Sequence, residues 1–225
     1  MRALIAPLAL GLLGCAVLAG FGVWQLQRLA WKEDLLARIE ARIAADPVAL
    51  PERPERTRDA ALAVALQGEV AGPAMVVFDT WRGFGAGVRA IVPVATGDRR
   101  VLVDLGAAPW PPGTDPAAVA GDAPAPGTTL AVTGNLDWPE EGAGTAQGAL
   151  WSARDVPAMA AAAGAEPVLV TARATTPATA FAALPVGTEG IPNSHLGYAV
   201  QWFGLALVWA GMTGFYCWRI TRRTA

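Results

Sequence analysis

Two long runs without a charged residue, one near each end of the chain, constrain its fold more than any other feature. They extend from Ala3 to Trp24 and from Gly197 to Trp218, 22 residues each. At 1.5 Å per residue, a helix of this length measures about 33 Å, enough to cross a hydrocarbon core of about 30 Å. Aromatic residues of the kind that form interfacial belts lie at or near the ends: Trp24, Tyr198, Trp202, Tyr216 and Trp218. The runs therefore predict two transmembrane helices.

Two processing signals compete with a retained first helix. A cleaved signal peptide has a shorter apolar core, followed by a small-residue cleavage site and polar sequence. Leu12-Leu-Gly-Cys15 also resembles a lipoprotein-processing site. However, nine apolar residues follow Cys15, and the run passes directly into a helical pattern. We therefore expect this helix to be retained.

Positive charges beside the runs indicate their orientation. Arg219, Arg222 and Arg223 follow the second run and favour a cytoplasmic C-terminus, while Arg28 and Lys32 on the opposite side reduce that bias. Two spans place both termini on one side of the membrane, and a long loop is translocated largely regardless of its charge. We therefore expect the segment between the runs in the periplasm or an equivalent intermembrane compartment.

The chain between the runs divides into a helical extension and a β-rich domain. Apolar residues from Leu29 to Ile43 recur near helical spacing until Asp46-Pro47 ends the pattern. The predicted boundaries are 3–24 and 194–218 for the transmembrane helices, 25–46 for the amphipathic extension, 47–193 for the domain and 219–225 for a basic cytoplasmic tail. The predicted fold class is an integral membrane protein in which two transmembrane α-helices flank a β-rich α+β soluble domain.

Six runs in the domain have strand character. They are Leu62–Gly68, Met75–Trp81, Val88–Val94, Arg100–Leu105, Thr129–Asn135 and Pro167–Arg173. The third and fourth flank Thr96-Gly97-Asp98-Arg99 and are predicted to form a hairpin. One short helix is predicted at Asp155–Ala163, with Asp155 as its N-cap and Gly164 at its end. Many strands, few helices and short turns favour an antiparallel sheet or a partial barrel.

Charge and cysteine content exclude several kinds of function. The formal net charge is −2 and the pI is about 5.4. The chain therefore has no basic surface of the kind that nucleic-acid binding needs, and we expect no nucleic-acid partner. Both cysteines, Cys15 and Cys217, lie in the apolar runs. The domain therefore holds neither a disulfide framework nor a thiolate metal site.

The sequence predicts no catalytic residue. A Ser/His/Asp or Cys/His arrangement would have to use His195, the single histidine, which has no G-x-S-x-G motif near it. Gly83-Phe-Gly85-Ala-Gly87 is glycine-rich but precedes a strand, so it is interpreted as a turn or bulge rather than a phosphate loop. Glu140-Glu141 lies among prolines and glycines and is interpreted as a solvated loop.

His195 is the one residue whose position indicates chemistry. Antiparallel spans place it beside the outer end of the first helix, where three further candidates emerge: Trp24, Gln25 and Arg28. It shares a helical face with three neighbours if its helix begins by about Ser194: Tyr198, Ala199 and Trp202. An imidazole among aromatic side chains at the interface can ligate a heme iron, and an arginine opposite can pair with a propionate.

A second interpretation is that His195 only caps the helix or anchors it at the interface. One ligand does not define a heme site, and Met212 lies 17 residues further on, about 25 Å deeper in the membrane. A heme at His195 would therefore need a second chain or an open coordination position.

Motifs in a fixed order along most of the chain carry a family resemblance. The first run ends in Gly22-Val-Trp24-Gln25-Leu-Gln27-Arg28-Leu-Ala-Trp31-Lys32, which is similar to G-x-W-Q-x-x-R-x-x-W-K. The second begins in Pro192-Asn193-Ser-His195-Leu-Gly-Tyr198-Ala199-Val-Gln-Trp202-Phe203-Gly204-Leu, which is similar to P-N-x-H-L-x-Y-A-x-x-W-F-G-L. Between them lie Gly87-Val-Arg-Ala-Ile-Val-Pro93, Arg100-Val-Leu-Val103 and the W-x-x-R-D-V segment Trp151-Ser-Ala-Arg154-Asp155-Val. These residues resemble the surfeit locus protein 1 family.

The resemblance implies an assembly factor for cytochrome c oxidase, a heme-copper oxidase, that is not itself an enzyme. Bacterial members are thought to bind heme a and help to deliver it to the catalytic subunit. The implied setting is a bacterial inner membrane, with that subunit, the heme a synthesis machinery and membrane lipid as partners. His195 stands at the family's histidine position and is the implied iron ligand. We place the other candidates near the heme as well: Trp24, Gln25, Arg28, Tyr198 and Trp202.

One segment departs from the family pattern. In Asp104-Leu105-Gly106-Ala107, the family usually has an arginine before the glycine and an aromatic residue after it. The missing charge and ring put the role of this segment, such as a partner contact, in doubt.

Three other functions compete with heme delivery. A cofactor-free scaffold would stabilise an oxidase assembly intermediate through helix contacts, for which the second run has suitable small residues: Gly204, Ala206, Ala210, Gly211 and Gly214. A copper chaperone is disfavoured because the domain has no cysteine, and Cu(I) selects soft ligands. A membrane-anchored hydrolase lacks a nucleophile paired with a base.

Overall fold

The computed structural model describes residues 2–81, 85–111, 113–139, 142–188 and 191–224. In these ranges the elements are, in order, α1 (Arg2–Ile43), β1 (Val48–Ala49), α2 (Arg56–Asp59), β2 (Ala63–Val70), β3 (Met75–Trp81), β4 (Gly85–Thr96), β5 (Arg99–Pro109), α3 (Pro116–Gly121), β6 (Thr129–Asp137), β7 (Ala146–Gln147), β8 (Leu150–Trp151), α4 (Val156–Ala163), β9 (Leu169–Thr176) and α5 (His195–Thr224). They form two compact units, Met1–Arg38 with Thr188–Ala225, and Ile39–Gly187. The predicted loop at Glu140-Glu141 lies outside the described residues, as do Gly83 and Phe84 of the glycine-rich segment.

The first unit is an antiparallel pair of long helices, α1 and α5. A Cβ atom added at Gly14 would lie 2.2 Å from the Trp209 indole, and one at Gly22 would lie 2.7 Å from the Phe203 ring. A larger residue at either position would have to displace the facing ring, so glycine allows this packing between the helices. The residues of α1 that are buried or half-buried in this seam recur at intervals of three and four, as in a left-handed helix pair: Gly11, Gly14, Leu18, Gly22, Gln25 and Leu29.

Large apolar side chains cover the outside of the helix pair. Leu12 is 71% exposed and Leu207 is 76% exposed, whereas most leucines of a water-soluble protein are buried. Among the described residues, one helix, Leu4–Ile43, is long and apolar enough to cross a membrane, with a mean hydropathy of 2.3 in its most apolar stretch. The predicted apolar N-terminal helix is thus confirmed.

The second predicted span lies within α5, which is 30 residues long but is not among the described helices found apolar enough to cross a membrane. Its composition explains the difference, because Gln201 and several Tyr and Trp side chains lower its mean hydropathy. A second transmembrane helix therefore remains a prediction.

The second unit contains a five-stranded barrel. Its strand order is β2-β6-β9-β5-β4, and β4 returns to β2 through the pairs Glu69–Ala95 and Val70–Val94. Four strands have the spatial order β6-β2-β4-β5 of a Greek key, and β9 closes the ring between β6 and β5. The first half of β4 also pairs with β3, which continues the sheet to β8 and β7. The barrel agrees with the β-rich prediction, but the sheet is mixed rather than antiparallel, because β1–β2, β3–β8 and β5–β9 are parallel pairs.

Alternate residues of the central strands enter two apolar clusters. Val88 and Val92 of β4 point into the barrel with the valines of its other strands. Ile91, between them, packs on the other face with Leu102 of β5 and Met159 of α4. Because both faces of β4 are covered, its sequence from Ala90 to Ala95 is a continuous apolar run and does not alternate with polar residues.

All six predicted strands form, with ends that differ by a few residues. The predicted hairpin turns at Gly97 and Asp98, and Gly97 has φ +61, a left-handed conformation that glycine adopts readily. The predicted helix also forms as α4, with Asp155 as its N-cap and a left-handed Gly164 at its end. Helix α3 was not predicted, although Asp115-Pro116 supplies both an N-cap and a proline at the first turn.

Candidate functional site

His195 is the first residue of α5, and its imidazole faces Gln25 of α1. The Nδ1 nitrogen of His195 lies 2.8 Å from the Oε1 oxygen of Gln25. Gln25 is only 9% exposed, and Ala199, one turn after His195, is fully buried. The contact therefore lies in the seam between the helices, and it brings two of the predicted site residues together.

A second contact joins the same two segments. The Nζ atom of Lys32, two turns after Gln25, donates a hydrogen bond to the carbonyl oxygen of Pro192. Pro192 lies in the segment just before α5, whose first turn begins with a hydrogen bond from the Tyr198 N–H to the Ser194 carbonyl. This hydrogen bond links the segment that precedes His195 to helix α1. Lys32 was not predicted as a site residue, although it closes the motif that contains Gln25.

An aromatic pair lies next to this contact along both helices. The rings of Phe21 and Trp202 stack with centroids 4.9 Å apart and planes inclined by 30°. Trp202 is a predicted site residue, and it is half-buried. Phe21 was missed, but its position one turn before Gln25 places it on the same face of α1 and is the signal that identifies it.

The remaining predicted residues lie on the outside of the helices. Trp24 is 52% exposed and Tyr198 is 50% exposed, and within the described chain neither forms a hydrogen bond with His195. The Arg28 guanidinium lies over the Trp31 ring, 4.3 Å from its centroid, in a cation–π contact. Among the described residues, none of these three donates a hydrogen bond to the imidazole or accepts one from it.

The donor atoms at His195 suit a heme iron better than a free metal ion. The Nε2 nitrogen of His195 has no hydrogen-bond partner among the described residues, which leaves it available as a ligand atom. In the same residues, no group of three His, Cys, Asp or Glu side chains could hold a metal ion. A single imidazole does not fit a zinc site, which needs three or four protein ligands. It does fit an iron that carries its own equatorial nitrogen ligands, as heme iron does.

The second unit holds a separate group of buried charges at the bulge between β4 and β5. The Nε atom of Arg89 donates to Oδ2 of Asp104 at 2.8 Å, and Oδ1 of Asp104 accepts from the Gly106 N–H at 2.9 Å. Arg154 reaches this carboxylate at 3.8 Å and that of Asp137 at 3.4 Å. Burial raises the pKa of Asp104, because the cost of removing the carboxylate from water outweighs the attraction of Arg89 and its other neighbours.

The same group fixes the chain that follows β9. The Nη2 atom of Arg89 donates to the Leu184 carbonyl oxygen at 3.2 Å. Ala107 and Ala182 exchange two backbone hydrogen bonds of 2.8 Å. Because Arg89 and Asp104 are paired with each other and with backbone groups, the arrangement has the character of a structural ion pair and not of a ligand site.

Comparison with known proteins places the chain in a family. The SURF1 family model matches residues 12–207. The chain belongs to the SURF1 family.

Surfeit locus protein 1 of Rattus norvegicus is 26% identical over 234 residues, covering 91% of this chain and 72% of the relative. The SURF1-like protein of Monosiga brevicollis is 28% identical, covering 87% and 82%. Surfeit locus protein 1 of Homo sapiens is 28% identical, covering 83% and 69%. The resemblance predicted from the motifs is thus confirmed.

The SURF1-family motifs have separate structural positions in this chain. The motif around Gln25 and the motif around His195 meet in the helix pair through the contacts described above. The W-x-x-R-D-V segment lies in the second unit, where Trp151 is buried beside α4 and Arg154 reaches the Asp104 carboxylate. Asp155 caps α4. The central motif therefore stabilises the barrel, whereas the terminal motifs form the candidate site.

The departure from the SURF1-family pattern lies at the bulge. Ala90 pairs with Gly106 and Ile91 with Asp104, so Leu105 is the extra residue, and its side chain is buried in the barrel core. Gly106 has φ +108, and a Cβ there would lie 2.0 Å from the Ala182 carbonyl oxygen. Position 105 is therefore a core position in this chain and presents no side chain for a partner contact.

Proposed function

We propose that this protein is a membrane-embedded assembly factor for cytochrome c oxidase that binds heme a through His195. In this proposal it aids delivery of the heme to the catalytic subunit and catalyses no reaction itself. The observation that carries the proposal is the His195–Gln25 contact, which joins the two terminal SURF1-family motifs at one point. A histidine held at this point, with Nε2 unoccupied by any described partner, is suited to bind an iron.

The proposed setting is a bacterial inner membrane, with both α1 and α5 crossing it. The apolar outer surface of the helix pair supports this setting, because large side chains such as Leu12 and Leu207 have no protein cover. Arg219, Arg222 and Arg223 follow the apolar part of α5 and favour a cytoplasmic C-terminus. In this orientation both termini are cytoplasmic and the barrel is periplasmic.

Each candidate residue has a proposed role toward the heme. His195 would hold the heme by ligating its iron through a ring nitrogen. One face of the Arg28 guanidinium stacks on the Trp31 ring. The N–H groups at its edge would pair with a heme propionate. Trp24, Tyr198 and Trp202 offer aromatic surface for the macrocycle.

The visible spectrum of the protein, purified in detergent from a host that makes heme a, tests this proposal. We expect Soret and α bands of heme a in the wild type and their loss, or a strong shift, in His195→Ala. Gln201→Ala is the matched control, because Gln201 is an exposed polar residue of the same helix, and its spectrum should equal that of the wild type. A colourless wild type under heme-replete conditions, or a spectrum that His195→Ala leaves unchanged, would refute heme ligation by His195.

A cofactor-free scaffold is the second candidate, and one observation favours it. A Cβ atom at Gly204, Gly211 or Gly214 of α5 would meet nothing within 4 Å among the described residues. Small residues on an open helix face allow a partner helix to approach closely. The expected partners in both proposals are the oxidase catalytic subunit and the heme a synthesis machinery.

Oxidase assembly in a strain that carries only His195→Ala distinguishes the two candidates. If the protein is a scaffold, oxidase activity and a photo-crosslink from position 211 to the catalytic subunit should persist in this variant. If it is a heme carrier, the crosslink should persist but the oxidase should lack heme a.

A further inference from the structure

The contact between Gln25 and His195 decides which imidazole nitrogen can bind a metal. A neutral imidazole has one N–H and one lone pair, whereas the Oε1 oxygen of a glutamine only accepts hydrogen bonds. The Nδ1 nitrogen lies 2.8 Å from this oxygen. With the amide oxygen facing the ring, Nδ1 carries the hydrogen, and the lone pair is on Nε2.

We propose that Gln25 is a positioning residue that holds His195 in the Nδ1–H tautomer and so makes Nε2 the ligand atom. The identity of the iron rests on the proposed function, but the tautomer does not. Ligating histidines in metalloproteins commonly donate their other N–H to a neighbouring oxygen, which fixes both the tautomer and the orientation of the ring. In this protein the accepting oxygen is the side-chain amide oxygen of Gln25 on α1.

The surroundings restrict both partners of this hydrogen bond. Gln25 is 9% exposed, so water competes little for its amide. The hydrogen bond from Lys32 to the Pro192 carbonyl holds the backbone that precedes His195. The stacked pair of Phe21 and Trp202 lies along the seam on the other side of the contact. The imidazole is therefore held from its backbone and from its Nδ1 atom.

The opposite amide orientation makes a distinct prediction. If the Gln25 side chain were rotated to present its NH₂ group, Nδ1 would accept and the hydrogen would be on Nε2. An Nε2–H group cannot bind iron without losing its proton, so ligation would be hindered. The two tautomers are therefore the two outcomes that the experiment must separate.

Nitrogen-15 NMR of heme-free, full-length protein in detergent micelles tests the tautomer. His195 is the single histidine of the chain, so histidine-selective labelling gives two ring nitrogen signals, both from this residue. At alkaline pH, where the ring is neutral, the protonated nitrogen resonates in the pyrrole range and the other in the pyridine range. Coupling to the ring proton on Cδ2 identifies Nε2.

We expect a pyrrole-type Nδ1 and a pyridine-type Nε2 in the wild type. Gln25→Glu keeps an acceptor oxygen and should keep this pattern, whereas Gln25→Leu removes it and should give averaged signals from both tautomers. Gln27→Leu is the control, because Gln27 is an exposed residue of the same helix, and it should leave the pattern unchanged. Averaged or reversed signals in the wild type, or an unchanged pattern in Gln25→Leu, would overturn the assignment.

Heme retention separates this inference from the proposed function. If the wild type binds heme a, Gln25→Leu should weaken retention by about 10- to 100-fold, the range found when partners of metal-ligating histidines are removed, and Gln25→Glu should restore it. A wild type with the fixed tautomer but without heme would refute the proposed function and leave the Gln25–His195 assignment intact. Normal heme retention in Gln25→Leu would refute the role of Gln25 in ligation.

Discussion

The helix pair and the barrel unit differ in where most of their large aliphatic side chains lie. In the barrel unit, large apolar side chains such as Ile91 and Leu102 are fully buried. In the helix pair, leucines such as Leu12 lie on the outside, and the seam combines large side chains with glycines and a polar pair: Gly11, Gly14, Gly22, Gln25 and His195. The barrel therefore has the side-chain distribution of a protein in water, whereas the helix pair has that of a protein in lipid.

This difference determines how each unit is stabilised. Burial of apolar surface stabilises the barrel, at roughly 25 cal/mol per Å² removed from water. In the proposed lipid setting that contribution is absent between helices, and close packing at glycine and interhelical hydrogen bonds take its place. A polar pair such as Gln25 and His195 is suited to a seam of this kind, where no water competes for the hydrogen bond.

The largest expected effect comes from breaking the buried ion pair of the barrel. Arg89→Leu leaves the Asp104 carboxylate buried without its closest cation, and a loss of about 3–5 kcal/mol in the free energy of unfolding is expected. Because the pKa of Asp104 is already raised, its protonated form relieves the buried charge at low pH. The deficit of the variant should therefore grow as the pH rises through the pKa of the folded state.

Denaturant unfolding of the detergent-solubilised protein at pH 5 and pH 8, with hydrogen exchange of the β4 and β5 peptides, measures this effect. Arg99→Leu is the control, since the Arg99–Glu166 pair is partly exposed, and its loss should be closer to about 1 kcal/mol. Equal losses for the two variants would contradict the structural role assigned to the Arg89–Asp104 pair.

A smaller effect is expected from widening the helix seam. Gly14→Leu places a side chain against the Trp209 indole, whereas Gly20→Leu enters open space on the outside of α1. The thiol of Cys15, which contacts the Ala206 carbonyl at 3.7 Å, reports on the seam. If Gly14→Leu weakens packing by about 1 kcal/mol, alkylation of Cys15 by N-ethylmaleimide should be about fivefold faster.

Peptide mass spectrometry distinguishes Cys15 from Cys217, the other cysteine, in this alkylation experiment. In Gly20→Leu, Cys15 should be alkylated at the wild-type rate. Acceleration in both variants would show that added bulk in the apolar surface, and not loss of the close approach at Gly14, opens the seam.

Much of the barrel could be predicted from the sequence, because its local signals agree with the final structure. The β4–β5 hairpin follows from two apolar runs around Gly97-Asp98, and α4 follows from the Asp155 cap and Gly164. The closure of β4 on β2 and the parallel pairing of β9 with β5 could not be predicted, because both join segments far apart in the chain. Short strands such as β7 and β8 have no periodicity to detect.

The sequence predicted residues for the candidate site but not the contacts between them. The motifs and the antiparallel helices placed His195 near Gln25, yet they did not show that these two side chains meet at Nδ1 and Oε1. Arg28 was expected opposite His195, and it stacks on Trp31 instead. Side-chain orientation around a helix depends on the rotation of the whole pair, which a difference of one residue in the seam alters by about 100°.

The smallest expected effect concerns the charge at the N-cap of α4. The Asp155 carboxylate accepts from the Ala158 N–H and from the Gly144 N–H, both at 3.0 Å. These hydrogen bonds lower the pKa of Asp155, that from Ala158 most. Its charged form therefore stabilises the folded barrel above the ordinary pKa of about 3.9, and this stabilisation is lost as the pH falls through the lower pKa of the folded state.

Asp155→Asn separates charge from capping, because asparagine is itself a good N-cap but its NH₂ group cannot accept from Gly144. We expect the thermal unfolding midpoint to fall by about 2 °C at pH 7, and the difference from the wild type to shrink as the pH falls from about 3.9 through the lower pKa of Asp155 in the folded state. Asp115→Asn at the N-cap of α3 is the control, since Asp115 accepts only from the Ala117 N–H in the described structure, and its shift should be smaller. Thermal unfolding followed by circular dichroism in detergent measures both variants. A deficit of Asp155→Asn that stayed constant as the pH fell below about 3.9 would assign the effect to lost hydrogen-bond geometry instead of charge. It would also mean that capping in the barrel, like packing in the helix seam, depends on shape more than on electrostatics.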